Sequence, residues 1–193
     1  LRLILAPGSS LGGARPKASV RDKDHHLAIA KFPKKDDEID VIAWEAVALT
    51  LAQKAAISTP EWRLESIKTS RILISRRFDR MQNFRIPFLS AMSALQARDN
   101  ELHSYLEIAD IIHQISTRPQ KDLKDLWRRI IFNILISNVD DHLRNHAFLY
   151  SKDLGWTLSP AYDLNPVPID IKPRVLSTMI DLNDASASLE LAL

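Results

Sequence analysis

Apolar residues recur along the chain with two periods. Leu27, Ile29 and Lys31 alternate with Ala28 and Ala30, which predicts a strand over 27–32 with the lysine on one face. Ile72, Leu73 and Ile74 open a compact run that reads as a buried or half-buried strand over 72–78. Between them Val41, Trp44, Val47, Ala48, Leu51 and Ala55 return at helical spacing behind Asp40, a suitable N-cap, and Pro60 ends the helical region. Ser104 with Glu107 forms a capping-box pattern ahead of Leu106, Ala109, Ile112 and Ile115, with Pro119 just beyond. Asp122 with Asp125 predicts a second helix start, and Leu123, Leu126, Trp127, Ile130, Ile131, Ile134 and Leu135 carry its stripe to an end near Asn138. A hairpin is expected from 146–150 and 156–158 around the turn 151–155, and the opening residues 1–6 read as a strand or a helix end. Phe88, Leu89, Met92 and Leu95 are expected to pack together, and Met92 and Trp127 read as ordinary core residues. Strands and helices in this order, with two long helices in the second half, are expected to build an α+β fold.

A length of 193 residues bounds the chain at one domain, or one domain with two lobes, able to enclose a sizeable core. With 46% hydrophobic and 26% charged residues it has the composition of a folded globular chain and not of a disordered one. The net charge of +2 is too small to argue for a nucleic-acid partner. No cysteine is present, which excludes disulfides and thiolate metal sites and fits a reducing, cytoplasmic setting. No run approaches the roughly 18 apolar residues that span a bilayer, and residues 1–6 are too short for a signal peptide. Because the chain opens on Leu1, it is expected to be a fragment of a longer one.

The chemistry concentrates between the last long helix and the hairpin, where Asn138-Val139-Asp140-Asp141-His142-Leu143-Arg144-Asn145 joins two anchored elements. Phosphoryl transfer needs an Asp that accepts the hydroxyl proton and, five residues on, an Asn that turns its amide oxygen to a metal; Asp140 and Asn145 have that spacing. Asp163, after the hairpin, supplies a second oxygen ligand of the kind Mg²⁺ favours. Three of the 4 glycines fall in Gly8-Ser9-Ser10-Leu11-Gly12-Gly13, a segment whose backbone N–H groups could wrap phosphate, although it matches neither the dinucleotide nor the Walker fingerprint. On composition alone a plain flexible turn is an equal reading of that segment.

Together these blocks resemble the kinase part of the HipA-like family, the serine/threonine toxin kinases of bacterial type II toxin–antitoxin modules. The resemblance rests on 9–17 (Ser-Ser-Leu-Gly-Gly-Ala-Arg-Pro-Lys), Ala30-Lys31-Phe32-Pro33, Trp44-Glu45, Arg77-Phe78-Asp79-Arg80, 138–148 and 158–166, in family order and across nearly the whole chain. It implies a protein-kinase-like two-lobed fold, incomplete at both ends, with an N-lobe-like nucleotide-binding region over 1–80 and a mainly helical C-lobe-like region over 81–193. It implies ATP and Mg²⁺ as cofactors: Asp140 as catalytic base, Lys31 on the phosphates held by Glu45, and Asn145 and Asp163 on the metal. Ser10, Gly12, Gly13, Ala14, Lys17, Phe78 and His142 would complete the nucleotide site, with Arg15 near the phosphates. The backbone of 74–78 would meet adenine, and Ile29 and Leu73 would form an apolar slot. Asp79 and Arg80 would orient a turn or touch ribose. Ser10 resembles an autophosphorylation site whose modification ejects its loop, and a DNA-binding antitoxin would be the partner. His142 reads as structural or as fixing the loop, and Asp141 as simply exposed.

Other readings stay open on the residues alone. A metal hydrolase could use Asp140, Asp141, His142, His146 and His25 or His26. The same phosphate-handling groups would serve a kinase of small molecules, or a catalytically weak nucleotide-binding partner in an antitoxin complex.

Overall fold

A computed structural model of the chain describes residues 2–3, 15–67, 70–81, 84–168, 170 and 173–193. Strands β1 (Arg2–Leu3), β2 (Lys17–Arg21), β3 (Leu27–Lys31), β4 (Trp62–Ile67) and β5 (Ser70–Arg76) form one antiparallel sheet in the order β1-β2-β3-β5-β4. Helix α1 (Val41–Lys54) enters between β3 and β4. On one face of the sheet Val20, Ala28, Ala30, Ile72 and Ile74 cluster. On the other, Leu73 packs with Ile42, Ala46, Leu49 and Ala52 of α1. Lys31 lies opposite Leu73 in register, so the pleat places it on the side that carries α1.

The predicted face of α1 is inverted. Asp40 caps the helix as expected, accepting from the Ala43 N–H at 2.9 Å. The buried side, however, is Ile42, Glu45, Ala46, Ala48, Leu49 and Ala52, while Trp44, Val47 and Leu51 are exposed. The helix is apolar nearly all round, so periodicity reports a helix without choosing the side that meets the sheet. A buried Glu45 selects Ile42, Leu49 and Ala52, its neighbours at three, four and seven residues.

A short hairpin of β6 (Arg80–Met81) and β7 (Phe84–Arg85) leads to β8 (Phe88–Ser90) and the single turn α2 (Ala91–Ala94). Helices α3 (Tyr105–Ile115) and α4 (Pro119–Leu135) then pack on the sheet β10-β9-β8, where β9 (Ala147–Ser151) and β10 (Gly155–Leu158) are the expected hairpin. Gly155 sits at φ +64 with Thr117 against the position of a Cβ, so that turn requires glycine. The core here joins Tyr105, Ile108, Ile112, Leu126, Ile134 and Phe148.

Both long helices differ in detail from expectation. Glu107 takes the Ser104 N–H at 2.7 Å, as the capping pattern requires, yet α3 buries Tyr105, Ile108, Ile111 and Ile112 and exposes Leu106. α4 begins at Pro119, three residues before Asp122, because proline fits the first helical position. Asp122 is instead buried, accepting from the Ser116 hydroxyl and from the Leu158 N–H, each at 2.8 Å. Trp127 is half exposed, its ring N–H donating to the Ala192 carbonyl of the short terminal helix α5 (Leu189–Ala192), and so is not a core residue. Among the described residues, no helix is long and apolar enough to cross a membrane.

Candidate active site

A cleft of about 480 Å³ opens between the five-stranded sheet and the 138–145 connection. Lys17, Lys31, Asp140, His142 and Asp163 all line it, together with Arg15, Lys34, Asp37 and Asn165. Five of the residues singled out from the sequence, distant along the chain, therefore meet at one cavity. Asn145 sits beneath it and is tied to it through its amide nitrogen, which donates to the Asp140 carbonyl at 3.2 Å. Phe78 does not line this cavity; its ring packs at 5.4 Å from that of Tyr162, the residue before Asp163. Ser10, Gly12, Gly13 and Ala14 lie outside the described residues.

Lys31 is the centre of the arrangement. Its ammonium donates to Glu45 Oε1 at 2.5 Å and to Asp163 Oδ1 at 2.6 Å, joining β3, α1 and the segment after β10. A lysine on an apolar strand face ordinarily reaches for solvent. This one is 9% exposed because two carboxylates replace the water. Burial alone would lower its pKa, but Glu45 and Asp163 more than reverse that and hold it charged. The two acids divide unequally. Burial raises Glu45, whose own environment outweighs the lysine, whereas for Asp163 burial is outweighed by Lys31 and by the Asn165 amide, and its pKa falls to about 2.

Asp163 also has φ 61, in the left-handed region that a residue with a side chain enters at a cost. Asn165 bonds its carboxylate at 3.0 Å, and the Asn165 amide oxygen is buried with no partner. Nothing in the sequence pattern assigns Asn165 a role, although it stands only two residues beyond the proposed metal ligand.

Asp140 and Asp141 take opposite positions. Asp140 is exposed to the cleft, and among the described residues its carboxylate is not engaged. Asp141, expected to be exposed, is instead 3% exposed and points into the core. Its Oδ2 accepts from the Tyr105 hydroxyl, the Asn133 amide and His146 Nε2, each at 2.7 Å. The signal in the sequence is the second carboxylate beside the first, since adjacent side chains in a turn leave the backbone in different directions.

At the mouth, Arg15 forms a two-pronged pair with Asp37 at 2.8 Å, which ties the chain before β2 to the loop after β3. Arg15 thus faces an acid and not open space. Behind the cleft, the Asp79 carboxylate is gripped by Arg77 at 2.8 and 2.6 Å and by Arg80. Of the two roles expected for these residues, the turn-orienting one matches that grip.

A hydrolytic metal centre does not assemble from the residues that suggested one. Asp141 and His146 face each other in the core, away from Asp140, and among the described residues the acid–imidazole group close enough to share an ion, Asp22, Asp24 and His26, lies on the β2–β3 turn. There Asp22 accepts the Asp24 and His26 N–H groups at 3.0 and 2.8 Å, an ordinary turn function.

Known proteins share this arrangement of elements. HipA from Shewanella oneidensis, solved with HipB and operator DNA, superposes with a TM-score of 0.75 at 18% identity, over 97% of this chain and 51% of that one. The Helicobacter pylori proinflammatory kinase CtkA superposes with a TM-score of 0.62 at 17% identity, over 78% of this chain and 54% of that one. The fold is thus kinase-like, with the mixture of helix and strand expected from the sequence. By sequence, a Haemophilus influenzae protein named "Putative kinase" is 27% identical over 90% of this chain and 56% of its own length. "Putative kinase Y4mE" of Sinorhizobium fredii is 25% identical over 80% of this chain and 41% of its own. The chain spans about half the length of these relatives. The sequence profile of the HipA-like C-terminal domain matches residues 9–192, and the chain belongs to that family.

Proposed function

We propose that this chain carries the catalytic part of a serine/threonine protein kinase that transfers the γ-phosphoryl group of ATP to a protein hydroxyl. The observation that carries the reading is the buried Lys31 ammonium held between Glu45 and Asp163, with the unengaged Asp140 carboxylate on the same cleft. A lysine fixed by a helix glutamate is the element that meets nucleotide phosphates in kinase-like folds, and a free aspartate on the loop ahead of the metal-side one is where the acceptor hydroxyl belongs. In this reading residues 1–80 bind the nucleotide and 81–193 carry the catalytic loop and metal side.

The donor set fits a magnesium ion. Asp163 offers carboxylate oxygen, and Asn145 spends its amide nitrogen on the Asp140 carbonyl, which turns its oxygen to other use. When bound, Mg²⁺ neutralises phosphate charge and orients the transferring group. The chain's own residues do the rest. Lys31 and Lys17 balance the charge of the phosphates, Glu45 holds Lys31 in place, and Asp140 orients the acceptor hydroxyl and takes its proton. His142 lines the cleft beside Asp140 and bounds the nucleotide site. Ser10 is the autophosphorylation site. The partner is a DNA-binding antitoxin; the fold shared with a HipA solved in complex with HipB and operator DNA supports that choice.

The test is transfer from γ-labelled ATP, with and without Mg²⁺, by the protein and its Asp140→Asn variant, followed by phosphopeptide mapping. Label that requires Mg²⁺, disappears in Asp140→Asn and maps to Ser10 is the expected result. Tight ATP binding without transfer to any protein hydroxyl would sink the protein-kinase reading and leave a nucleotide-binding partner or a small-molecule kinase.

A further inference from the structure

The Asp140 carboxylate has no side-chain partner among the described residues to aim it, yet a general base must lie within hydrogen-bond reach, about 2.6–3.2 Å, of the hydroxyl it serves. Something else must hold the peptide that carries it. The neighbouring Asp141 is bound on both its side chain and its main chain. Three donors from three elements converge on Oδ2: Tyr105 from the start of α3, Asn133 from the last turns of α4, and His146 from the entry to β9. The Thr178 hydroxyl donates to the Asp141 carbonyl at 2.7 Å. Its neighbour Ser177 donates to the Val139 carbonyl through both its backbone N–H and its hydroxyl, at 3.0 and 2.9 Å.

The anchoring continues on either side. Asn138 bonds Asn133 twice, from its backbone N–H to the carbonyl at 2.9 Å and from its amide to the side-chain oxygen at 3.1 Å. Asn133 therefore grips residue 138 and residue 141 at once. Past Asp141, the Asp140 carbonyl takes the His142 N–H at 3.0 Å and the Asn145 amide. The Tyr105 and His146 rings meet edge to face at 5.6 Å, which locks two of the three donors against each other. Asp140 is thus the one side chain of the stretch 138–141 that faces the cleft while both its neighbours are fixed below.

We propose that Asp141 is a positioning residue for the transfer reaction: its buried carboxylate, held by Tyr105, Asn133 and His146, fixes the peptide that aims Asp140 at the acceptor hydroxyl. The inference rests on the phosphoryl-transfer reading above. It places no atom of Asp141 in contact with substrate. Its signature is a loss of turnover without a loss of nucleotide binding, because none of its four partners belongs to the Lys31–Glu45–Asp163 cluster.

The experiment compares the unsubstituted protein with Asp141→Asn, Tyr105→Phe and Thr178→Val, measuring kcat, KM for ATP, thermal melting and amide hydrogen exchange. The expected result is a fall in kcat of about 100-fold for Asp141→Asn, the scale of a 1 Å misplacement, with KM for ATP within about threefold. Tyr105→Phe and Thr178→Val, which each remove one bond from the clamp, should show smaller losses of the same kind. An Asp141→Asn protein with unchanged kcat overturns the proposal. So does one whose kcat falls only in step with its melting temperature, or with an equal rise in KM. If the unsubstituted protein transfers no phosphate, the phosphoryl-transfer reading fails separately, and exchange decides the positioning. Faster exchange confined to 138–146, with β3 and α1 unaltered, then supports the clamp, and unchanged exchange across 138–146 rejects it.

Discussion

Two buried ionic clusters lie at this site, one in the cleft and one in the floor beneath it. In the cleft, a single ammonium binds two carboxylates, Glu45 and Asp163, at the edge of an open cavity, and Lys17 on the same cleft acts on both acids. In the floor, a single carboxylate, Asp141, receives three donors and is sealed from solvent. Burial pushes the Asp141 carboxyl up, but His146 and the Tyr105 hydroxyl outweigh it and bring the group below its ordinary value. The difference separates two uses of buried charge. A charged cluster that opens on a cleft suits a place where ligands come and go. One whose donors converge from three separate elements on a buried oxygen serves to fix geometry.

The largest expected effect comes from unbalancing the cleft cluster completely. Lys31→Met leaves Glu45 and Asp163 facing each other without the ammonium that bridges them, and should lower stability by about 3–5 kcal/mol while abolishing transfer. Denaturant titration of the variant checks it, and near-wild-type stability would mean that the ammonium is not the centre of the site. Next comes the wall that holds Glu45. Leu49→Ala, on the buried face of α1, should cost about 2–5 kcal/mol, whereas Leu51→Ala on the exposed face should stay within about 0.5 kcal/mol. Equal losses from the two variants would restore the face expected from periodicity.

The sealed cluster should respond less to a single change, because its load is shared. Tyr105→Phe removes one donor to a charged acceptor and should cost about 1.5–3 kcal/mol in the same titration, with the fold retained. The smallest effect is the acid response of the cleft. Asp163 has a folded pKa lowered from 3.8 to about 2, so its contribution is fully present above 3.8 and is lost as pH falls through about 2. Melts of the unsubstituted protein and Asp163→Asn, run without divalent cation, should therefore differ most above about pH 4 and converge toward about pH 2. A gap that stayed constant over that window would mean that Asp163 is not held ionised by Lys31.

Much of the site is legible in the linear order of residues, because its chemistry depends on residue type and spacing. Asp140, Asn145 and Asp163 stand out by spacing and by the hairpin between them, and Lys31 by a strand that places a cation on an apolar face. The strand 27–31, the Ser104–Glu107 cap and the β9–β10 hairpin follow from local pattern as well. Strands β2 and β4 do not, since Lys17–Arg21 and Trp62–Ile67 mix polar and apolar residues and depend on their neighbours for pairing. The faces of α1 and α3 escape for the opposite reason. Both carry apolar residues on more than one side, and only the element packed against a helix decides which side is covered.

The sequence by itself determined which polar groups this chain carries on the connection 138–145, because side-chain identity and spacing within one loop are local properties. Only the tertiary structure decided which of two adjacent aspartates faces the cleft and which anchors. Asp140 and Asp141 are the same residue one peptide apart. Tyr105, Asn133 and Thr178, which draw one of them inward, come from 36 residues before, 8 before and 37 after Asp141, and are neighbours only once the chain has folded.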